Sequence, residues 1–155
     1  MRNKKTVKIP KTVLVSGCFD LLHGGHIEFL NEAASYGRLV VSVGSDRNVK
    51  LLKGKAPYYS QDERRYILKN IACVSDVVVG TGTGLLDFEP ELRRLKPDFF
   101  IVNEDGHAED KRELCRALGV EYVVLKRIPH SGLPARASST IKNDLCLHST
   151  RKKQK

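Results

Sequence analysis

Five short runs of apolar residues, many of them β-branched, recur along the chain and predict five β-strands. The runs cover residues 13–17, 39–43, 76–79, 99–102 and 122–125. Most positions within each run are apolar, without regular alternation between apolar and polar residues. This pattern is typical of strands that are covered on both faces in a parallel sheet.

Helical segments separate these runs. The first predicted helix extends from His26 to Tyr36 and stops at Gly37, and the second begins at a capping box, Ser60-Gln-Asp-Glu63. Further helices are predicted over 85–95, over 108–118 and from residue 138 onward. The alternation of strands and helices predicts a three-layer α/β domain with right-handed crossovers. Because ligands of such domains bind beyond the carboxyl ends of the strands, we expect the functional residues in the loops after the strands.

The excess positive charge is confined to the two ends of the chain. The formal net charge is +9, and residues 1–11 carry five bases while residues 151–155 carry four, with no acidic residue in either stretch. These bases account for the whole excess. We therefore predict a formally neutral domain over 12–148 between basic tails at 1–11 and 149–155. A small phosphorylated ligand explains the bases inside the domain better than nucleic acid does.

Other features of the composition favour a cytoplasmic protein without metal ligands of its own. No run approaches the roughly 18 consecutive apolar residues of a membrane span, and the N-terminus lacks the apolar segment of a signal peptide. Cys18, Cys73, Cys115 and Cys146 are widely spaced without a Cys-x-x-Cys pair, which favours reduced thiols over disulfides or a zinc site. We expect no membrane partner.

The stretch Ser16-Gly-Cys-Phe-Asp-Leu-Leu-His-Gly-Gly-His26 follows the first predicted strand and enters the first helix. Gly17 permits a tight turn and lets a ligand approach the backbone closely. His23 and His26 lie three residues apart at the helix entry, so both imidazoles are expected near its unsatisfied N–H groups. Helix caps, solvated histidines or a metal-binding pair are the alternatives, but the position after a buried strand favours a phosphate site.

A second candidate phosphate site lies near the C-terminus. Ser138, Ser139 and Thr140 stand at a predicted helix start, where their hydroxyl groups either cap the helix or bind a phosphate together with free backbone N–H groups. Arg127 and the adjacent Lys126 add positive charge before this segment.

These two segments carry a family resemblance. Gly17-x-Phe19-Asp20-x-x-His23-x-Gly25-His26 and Ala137-Ser-Ser-Thr-Ile-Lys142 resemble the two motifs of the HxGH nucleotidyltransferase superfamily. Within it, the chain is similar to the cytidylyltransferase-like families that include glycerol-3-phosphate cytidylyltransferases and heptose-phosphate adenylyltransferases. The resemblance extends over residues 13–147. We accordingly expect a single Rossmann-like domain whose five-stranded parallel sheet has the order 3-2-1-4-5.

The resemblance implies a nucleotidyl transfer reaction. A nucleoside monophosphate, with CMP favoured over AMP, would pass from a nucleoside triphosphate (CTP or ATP) to the phosphate of a small phosphorylated metabolite, and pyrophosphate would leave. Mg²⁺ would accompany the triphosphate as the cofactor. A homodimer is the usual form in the family.

The resemblance also implies roles for particular residues. We expect His23, His26 and Lys53 to be catalytic. The same two histidines are expected to contact the nucleotide together with Gly17, Cys18, Phe19, Asp105, Ser138, Ser139 and Thr140. Phosphates of the triphosphate and the acceptor are expected to contact Lys53, Lys55, Arg64 and Arg127. Relatives commonly have Thr or another small residue at the position of Cys18, and a thiol is the weaker hydrogen-bond donor.

Simpler interpretations stay open for some of these segments. The bases between Lys50 and Lys55 are also typical of a charged surface loop, and Asn103-Glu-Asp-Gly106 is also typical of a turn. Gly80–Gly84 lacks the spacing of the dinucleotide-binding fingerprint, which argues against a redox domain, and we expect a mobile loop there beside the acceptor. A noncatalytic nucleotide sensor or nucleic-acid-binding protein on the same fold is the rival of the enzyme hypothesis.

Overall fold

The computed structural model describes residues 10–126 and 132–151, with side chains through residue 145. Arg127 and most of both basic tails lie outside these residues. Five described strands form one sheet: β1 (Thr12–Gly17), β2 (Arg38–Val43), β3 (Asp76–Val79), β4 (Phe99–Asn103) and β5 (Glu121–Leu125). Their order is β3-β2-β1-β4-β5, and every neighbouring pair is parallel. The predicted fold class and strand order are confirmed.

Six α-helices connect or follow these strands. They are α1 (Gly24–Ala34), α2 (Asp46–Lys53), α3 (Gln61–Lys69), α4 (Glu89–Leu95), α5 (Glu109–Leu118) and α6 (Ser138–Arg151). Single 3₁₀ turns occupy Gly84–Leu86 and Glu104–Gly106. The capping box before α3 forms as predicted, because the Ser60 side chain accepts a hydrogen bond from the Glu63 N–H at 3.3 Å.

Two helices differ from the prediction. The segment after β2, expected as a charged surface loop, contains α2. The Ser45 side chain caps this helix by accepting from the Asn48 N–H at 3.2 Å, and Gly54 ends it in the left-handed region. The helix expected over 85–95 begins only at Glu89, because a separate 3₁₀ turn precedes it.

The core lies on both faces of the sheet, as the apolar strands predict. Val13 and Val15 of β1 face one cluster, with side chains from α1 and α3, whereas Leu14 faces a second cluster with side chains from α4 and α5. In the second cluster the rings of Phe88 and Phe100 stack with centroids 4.3 Å apart. Because both faces are covered, ligands reach the sheet at its edges, and the carboxyl edge carries the candidate motifs.

One buried arginine forms hydrogen bonds to several loops at this edge. Arg64 of α3 is 1% exposed, and its guanidinium donates to the carbonyl oxygens of Cys18 and Gly44 at 2.6 and 2.8 Å. It also donates to the Tyr59 carbonyl and forms an ion pair with Asp46 at 2.7 Å. The expectation that Arg64 binds an acceptor phosphate does not fit this placement, because its donors bond to groups inside the protein.

We predict that Arg64→Met destabilises the protein by about 2–5 kcal/mol, because it leaves the carbonyl oxygens of Cys18 and Gly44 without their buried donor and removes the partner of the partly exposed Asp46. Equilibrium unfolding in urea measures the change. Arg93→Met is the matched control: it removes an arginine from an exposed pair with Glu89 and should cost no more than about 0.5 kcal/mol. Equal losses in the two variants would contradict the structural role of Arg64.

Candidate active site

The loop after β1 is held in an uncommon conformation by a buried ring. Phe19 has φ of 49°, in the left-handed region, and its side chain is 6% exposed. The ring packs so closely on Gly17 that a Cβ at this glycine would lie 2.9 Å from it. The same ring meets the imidazole of His26 edge-on, with centroids 5.5 Å apart. Gly17 and Phe19 therefore orient the histidine that follows them.

The two histidines of the first motif face each other. The centroids of the His23 and His26 rings are 3.9 Å apart and the rings are tilted by 31°. A Cβ at Gly25 would lie 3.2 Å from the His23 ring, which explains the glycine between the histidines. His23 precedes α1 in extended conformation, and its side chain forms no capping hydrogen bond. The alternative of a simple helix cap is therefore not supported for this residue.

A cavity of about 280 Å³ brings together residues from both motifs and from the segment after β2. We call it the lysine cavity. Its lining includes His26, Lys53, Lys55, Ser138 and Ser139, all expected at the site, together with Cys18, Phe19, Asp20, Lys142 and Asn143. His23 is in ring contact with His26 but does not itself line this cavity. Three ammonium groups stand in this cavity with an imidazole and two hydroxyls, and among the described residues only that of Lys142 is paired with a carboxylate, that of Asp20. The set is complementary to a polyphosphate.

Asp20 is the residue of this cavity that the sequence interpretation missed. It is 3% exposed, and its carboxylate accepts hydrogen bonds from the N–H groups of Tyr58 and Tyr59, each at 2.9 Å. Lys142 of α6 donates to the same carboxylate and forms an ion pair with it. The only signals in the sequence were the place of Asp20 in the first motif and the lysine at the end of the second.

The bonds of Asp20 also set its pKa. Burial alone would raise the pKa of this carboxyl group, but the hydrogen bonds from Lys142 and from two backbone N–H groups outweigh burial. The pKa therefore lies below its ordinary value, and the group is charged at neutral pH.

A second bond joins α6 to the same loop: the Ser138 hydroxyl donates to the Leu21 carbonyl oxygen at 2.9 Å.

Two further cavities neighbour the lysine cavity through shared lining residues. The central cavity, of about 280 Å³, shares Cys18, Phe19 and His26 with it and is also lined by Gly17, Asn103, Asp105, Gly106 and Lys111. The outer cavity, of about 330 Å³, shares Gly25, Phe29 and Asn103 with the central one and is also lined by Leu133, Pro134, Arg136 and Thr140. We call these three neighbouring cavities, linked by their shared lining residues, the groove. Thr140 lines the outer cavity, whereas Ser138 and Ser139 line the lysine cavity.

The turn after β4 forms part of the groove. Asn103 accepts a hydrogen bond from the Gly106 N–H at 2.9 Å, so Asn103–Gly106 is the turn that the simpler interpretation predicts. The same turn places Asp105 on the central cavity, where contact with a nucleotide is expected. Both interpretations of this segment are compatible with the structure.

The segment Gly80–Gly84 lies outside the groove. It lines a separate, open cavity of about 870 Å³ with Lys50 and other residues of α2, which we call the edge cavity. Hydrogen bonds hold this segment: the Thr81 hydroxyl donates to Glu91 at 2.8 Å and the Gly82 N–H donates to the Asp87 carbonyl oxygen at 2.9 Å. The expectation that this segment lines the acceptor site stays a prediction, since the edge cavity shares no residue with the groove.

Two further expectations concern Arg127 and a membrane partner. Arg127, expected to contact phosphate, lies outside the described residues. Within residues 10–126 and 132–151, no helix is long and apolar enough to cross a membrane.

Fold and groove together define an α/β enzyme of the nucleotidyltransferase class, and the similarity to known proteins agrees with this. Residues 14–145 match the sequence model of the cytidylyltransferase-like family. An FAD synthase of Pyrococcus horikoshii is 36% identical over 132 residues, which cover 83% of this chain and 86% of that protein. The chain belongs to the cytidylyltransferase-like family.

Two further similarities cover parts of other proteins or their fold. The bifunctional protein HldE of Hydrogenovibrio crunogenus is 53% identical over 70 residues, 44% of this chain and 15% of that protein. The crystal structure of a lipopolysaccharide core biosynthesis protein from Thermoplasma volcanium superposes with a TM-score of 0.65 at 25% identity and covers 79% of this chain and 99% of that one. The resemblance to nucleotidyltransferases is confirmed, and the chain is an enzyme of this class.

We predict that Asp20→Asn destabilises the protein at pH 7 by about 1.5–3 kcal/mol, because neutral asparagine loses the charge-assisted bonds to Lys142 and the backbone. Because folding lowers the pKa of Asp20, its contribution is complete above the ordinary aspartate pKa of about 4 and is lost as the pH falls through the folded-state pKa. Urea unfolding of both proteins between pH 7 and pH 3 should show their difference shrinking at low pH.

Asp144→Asn on the exposed surface of α6 is the control and should change stability by less than about 0.5 kcal/mol at every pH. A constant difference between Asp20→Asn and the parent protein down to pH 3 would contradict the assigned charge of Asp20.

Proposed function

We propose that this enzyme transfers AMP from ATP to the phosphate group of a phosphorylated small molecule and releases pyrophosphate, with FMN as the first acceptor to test. The observation that carries the proposal is the succession of three cavities that share lining residues. The lysine cavity is complementary to a triphosphate, and the neighbouring central and outer cavities have room for a ribose and a base. His26 lies where the lysine and central cavities meet, which is where the α-phosphate of a bound nucleotide would be.

The chemistry needs no nucleophile from the protein. A phosphate oxygen of the acceptor attacks the α-phosphorus of ATP, the bond from that phosphorus to the bridging oxygen of the β-phosphate breaks, and pyrophosphate leaves with the electron pair. The protein contributes by aligning the two phosphates and by stabilising the charge that develops on them. His23 and His26 would donate hydrogen bonds at the α-phosphate, and Lys53 and Lys55 would neutralise the phosphates in the lysine cavity.

The hydroxyl groups at the start of α6 complete this arrangement. Ser139 lines the lysine cavity, and Ser138 lines it while donating to the loop after β1. We assign Ser138 and Ser139 to the β- and γ-phosphates, together with the N–H groups of the first turn of α6. Thr140 lies at the outer cavity instead, so we assign it to the nucleoside end of the ligand.

The choice of AMP reverses the preference for CMP that the family resemblance suggested. FAD consists of FMN joined to AMP, so an FAD synthase delivers an adenylyl group, and the FAD synthases are relatives that match most of this chain. In the outer cavity, Phe29, Leu133 and Pro134 offer an apolar surface that suits the flat adenine ring.

FMN is the preferred acceptor because of how far the similarity extends. The similarity to the FAD synthase of Pyrococcus horikoshii spans 83% of this chain and 86% of that protein, whereas the similarity to HldE of Hydrogenovibrio crunogenus spans 44% and 15%. HldE has a heptose-phosphate adenylyltransferase domain, so the higher identity over that shorter segment, 53%, makes a sugar phosphate the second candidate. This agrees with the resemblance to heptose-phosphate adenylyltransferases.

Mg²⁺ is proposed as the companion of the triphosphate. Among the described residues, no cluster of three or more histidine, cysteine, aspartate or glutamate side chains could form a metal cage. Mg²⁺ is commonly bound through substrate phosphates and water with few protein ligands, so the proposal rests on the triphosphate as its main ligand. Bound there, the ion would neutralise phosphate charge alongside Lys53 and Lys55.

Pyrophosphate release tests the proposal. The full chain is incubated with Mg²⁺, with ATP or CTP, and with FMN, a heptose phosphate or glycerol 3-phosphate. We expect release with ATP and FMN, accompanied by FAD that chromatography detects. Turnover with ATP and a heptose phosphate alone would select the second candidate. Turnover only with CTP, or none with any pair, would overturn the proposal.

We predict that His26→Asn lowers kcat about 10²- to 10³-fold, the usual cost of losing one donor that stabilises the transition state, with a smaller change in the KM for ATP. His107→Asn is the matched control, because His107 lies outside the groove and contacts the Tyr122 hydroxyl at 3.0 Å. Steady-state kinetics on both variants measure the effect. Equal kcat values for His26→Asn and the parent would exclude His26 from catalysis.

A further inference from the structure

A buried lysine lies beside the groove, and neither motif contains it. Lys111, in the first turn of α5, is 9% exposed. Its ammonium donates to the Gly106 carbonyl oxygen at 2.8 Å, and it lies 5.9 Å from the centre of the Phe88 ring. Lysine is rarely buried to this extent without a partner for its charge, so the surroundings of this ammonium need an explanation.

The charged partner within the described residues is Asp87, which acts at longer range. Its carboxylate accepts a hydrogen bond from the Asn48 side chain at 2.8 Å. Burial lowers the pKa of Lys111, and the charge of Asp87 opposes this only in part. An ammonium has three N–H donors, and the described residues supply one hydrogen-bond acceptor for it, the Gly106 carbonyl. The ammonium therefore has donors available for a ligand.

The place of Lys111 in the groove indicates which part of a nucleotide it would meet. Lys111 lines the central cavity, as do His26 and Asp105. With the α-phosphate at His26, the next group along a nucleotide is the ribose, so the ribose would occupy this cavity. A hydroxyl group both donates and accepts hydrogen bonds, whereas an ammonium only donates and a carboxylate only accepts. Lys111 and Asp105 together are complementary to the two hydroxyls of a ribose.

We propose that Lys111 is a specificity-determining residue that selects ribonucleotides by donating a hydrogen bond to a ribose hydroxyl oxygen, while Asp105 accepts from the sugar. The inference rests on the proposed use of a nucleoside triphosphate. It does not depend on the base, because ATP and CTP carry the same ribose. Lys111 also donates to the Gly106 carbonyl oxygen, and this hydrogen bond stabilises the turn that carries Asp105.

Binding of ATP, 2′-deoxy-ATP and 3′-deoxy-ATP, measured by isothermal titration calorimetry, tests the inference. We expect the parent protein to bind at least one deoxy nucleotide tenfold or more weakly than ATP, because the charged donor then lacks its acceptor. Lys111→Met should weaken ATP binding and bring the three dissociation constants within about twofold of one another. Arg112→Met, on the same helix but outside the lining of the groove, should keep the parent's discrimination.

A second variant guards against misfolding, since Lys111→Met leaves the half-buried carboxyl group of Asp87 without its opposite charge. Asp87→Asn combined with Lys111→Met removes both charges and should give the same loss of discrimination. Equal weakening of all three nucleotides in these variants would assign Lys111 a structural role only and overturn the inference. A parent protein that binds the three nucleotides equally would also overturn it, whereas a parent that binds no nucleotide would contradict the proposed function itself.

Discussion

The carboxylate of Asp20 is the interaction on which the groove depends. Asp20 belongs to the loop after β1. Its carboxylate bonds to the segment after α2 through the N–H groups of Tyr58 and Tyr59, and to helix α6 through Lys142. The charged groups of the lysine cavity come from these same elements. Without a buried negative charge at this point, the ammonium groups of Lys53, Lys55 and Lys142 would repel one another. Asp20 therefore stabilises the arrangement of lysines that an anionic ligand would contact.

Arg64 stabilises the same loop from a second point, with a buried positive charge. It binds the carbonyl oxygens of Cys18 and Gly44, just after β1 and β2, and pairs with Asp46 of α2, so it fixes the strand that precedes the histidines relative to the helix that ends at Lys53. A buried cation bonded to strand ends and a buried anion bonded to loops together make the carboxyl edge of the sheet rigid. Rigid supports of this kind favour catalysis by alignment, which is what transfer between two phosphates requires.

Much of this arrangement could be predicted from the sequence, and the misses have physical reasons. Continuous apolar runs gave the strands, and a glycine turn with paired histidines after β1 marked the site. Helix α2 was missed because its sequence is mainly polar, although Ser45 and Gly54 are ordinary cap residues. The inward direction of Arg64 and the burial of Lys111 could not be predicted, because a long charged side chain can reach either solvent or a buried partner from the same helix position.

The central claim is that an acceptor phosphate attacks the α-phosphorus of ATP in this groove. The most direct test uses FMN whose phosphate is enriched in ¹⁸O, with mass spectrometry of both products. The account predicts that all of the ¹⁸O remains in FAD and that the pyrophosphate carries none. Appearance of ¹⁸O in the pyrophosphate, or transfer of any phosphate of ATP other than the α-phosphate to FMN, would contradict it.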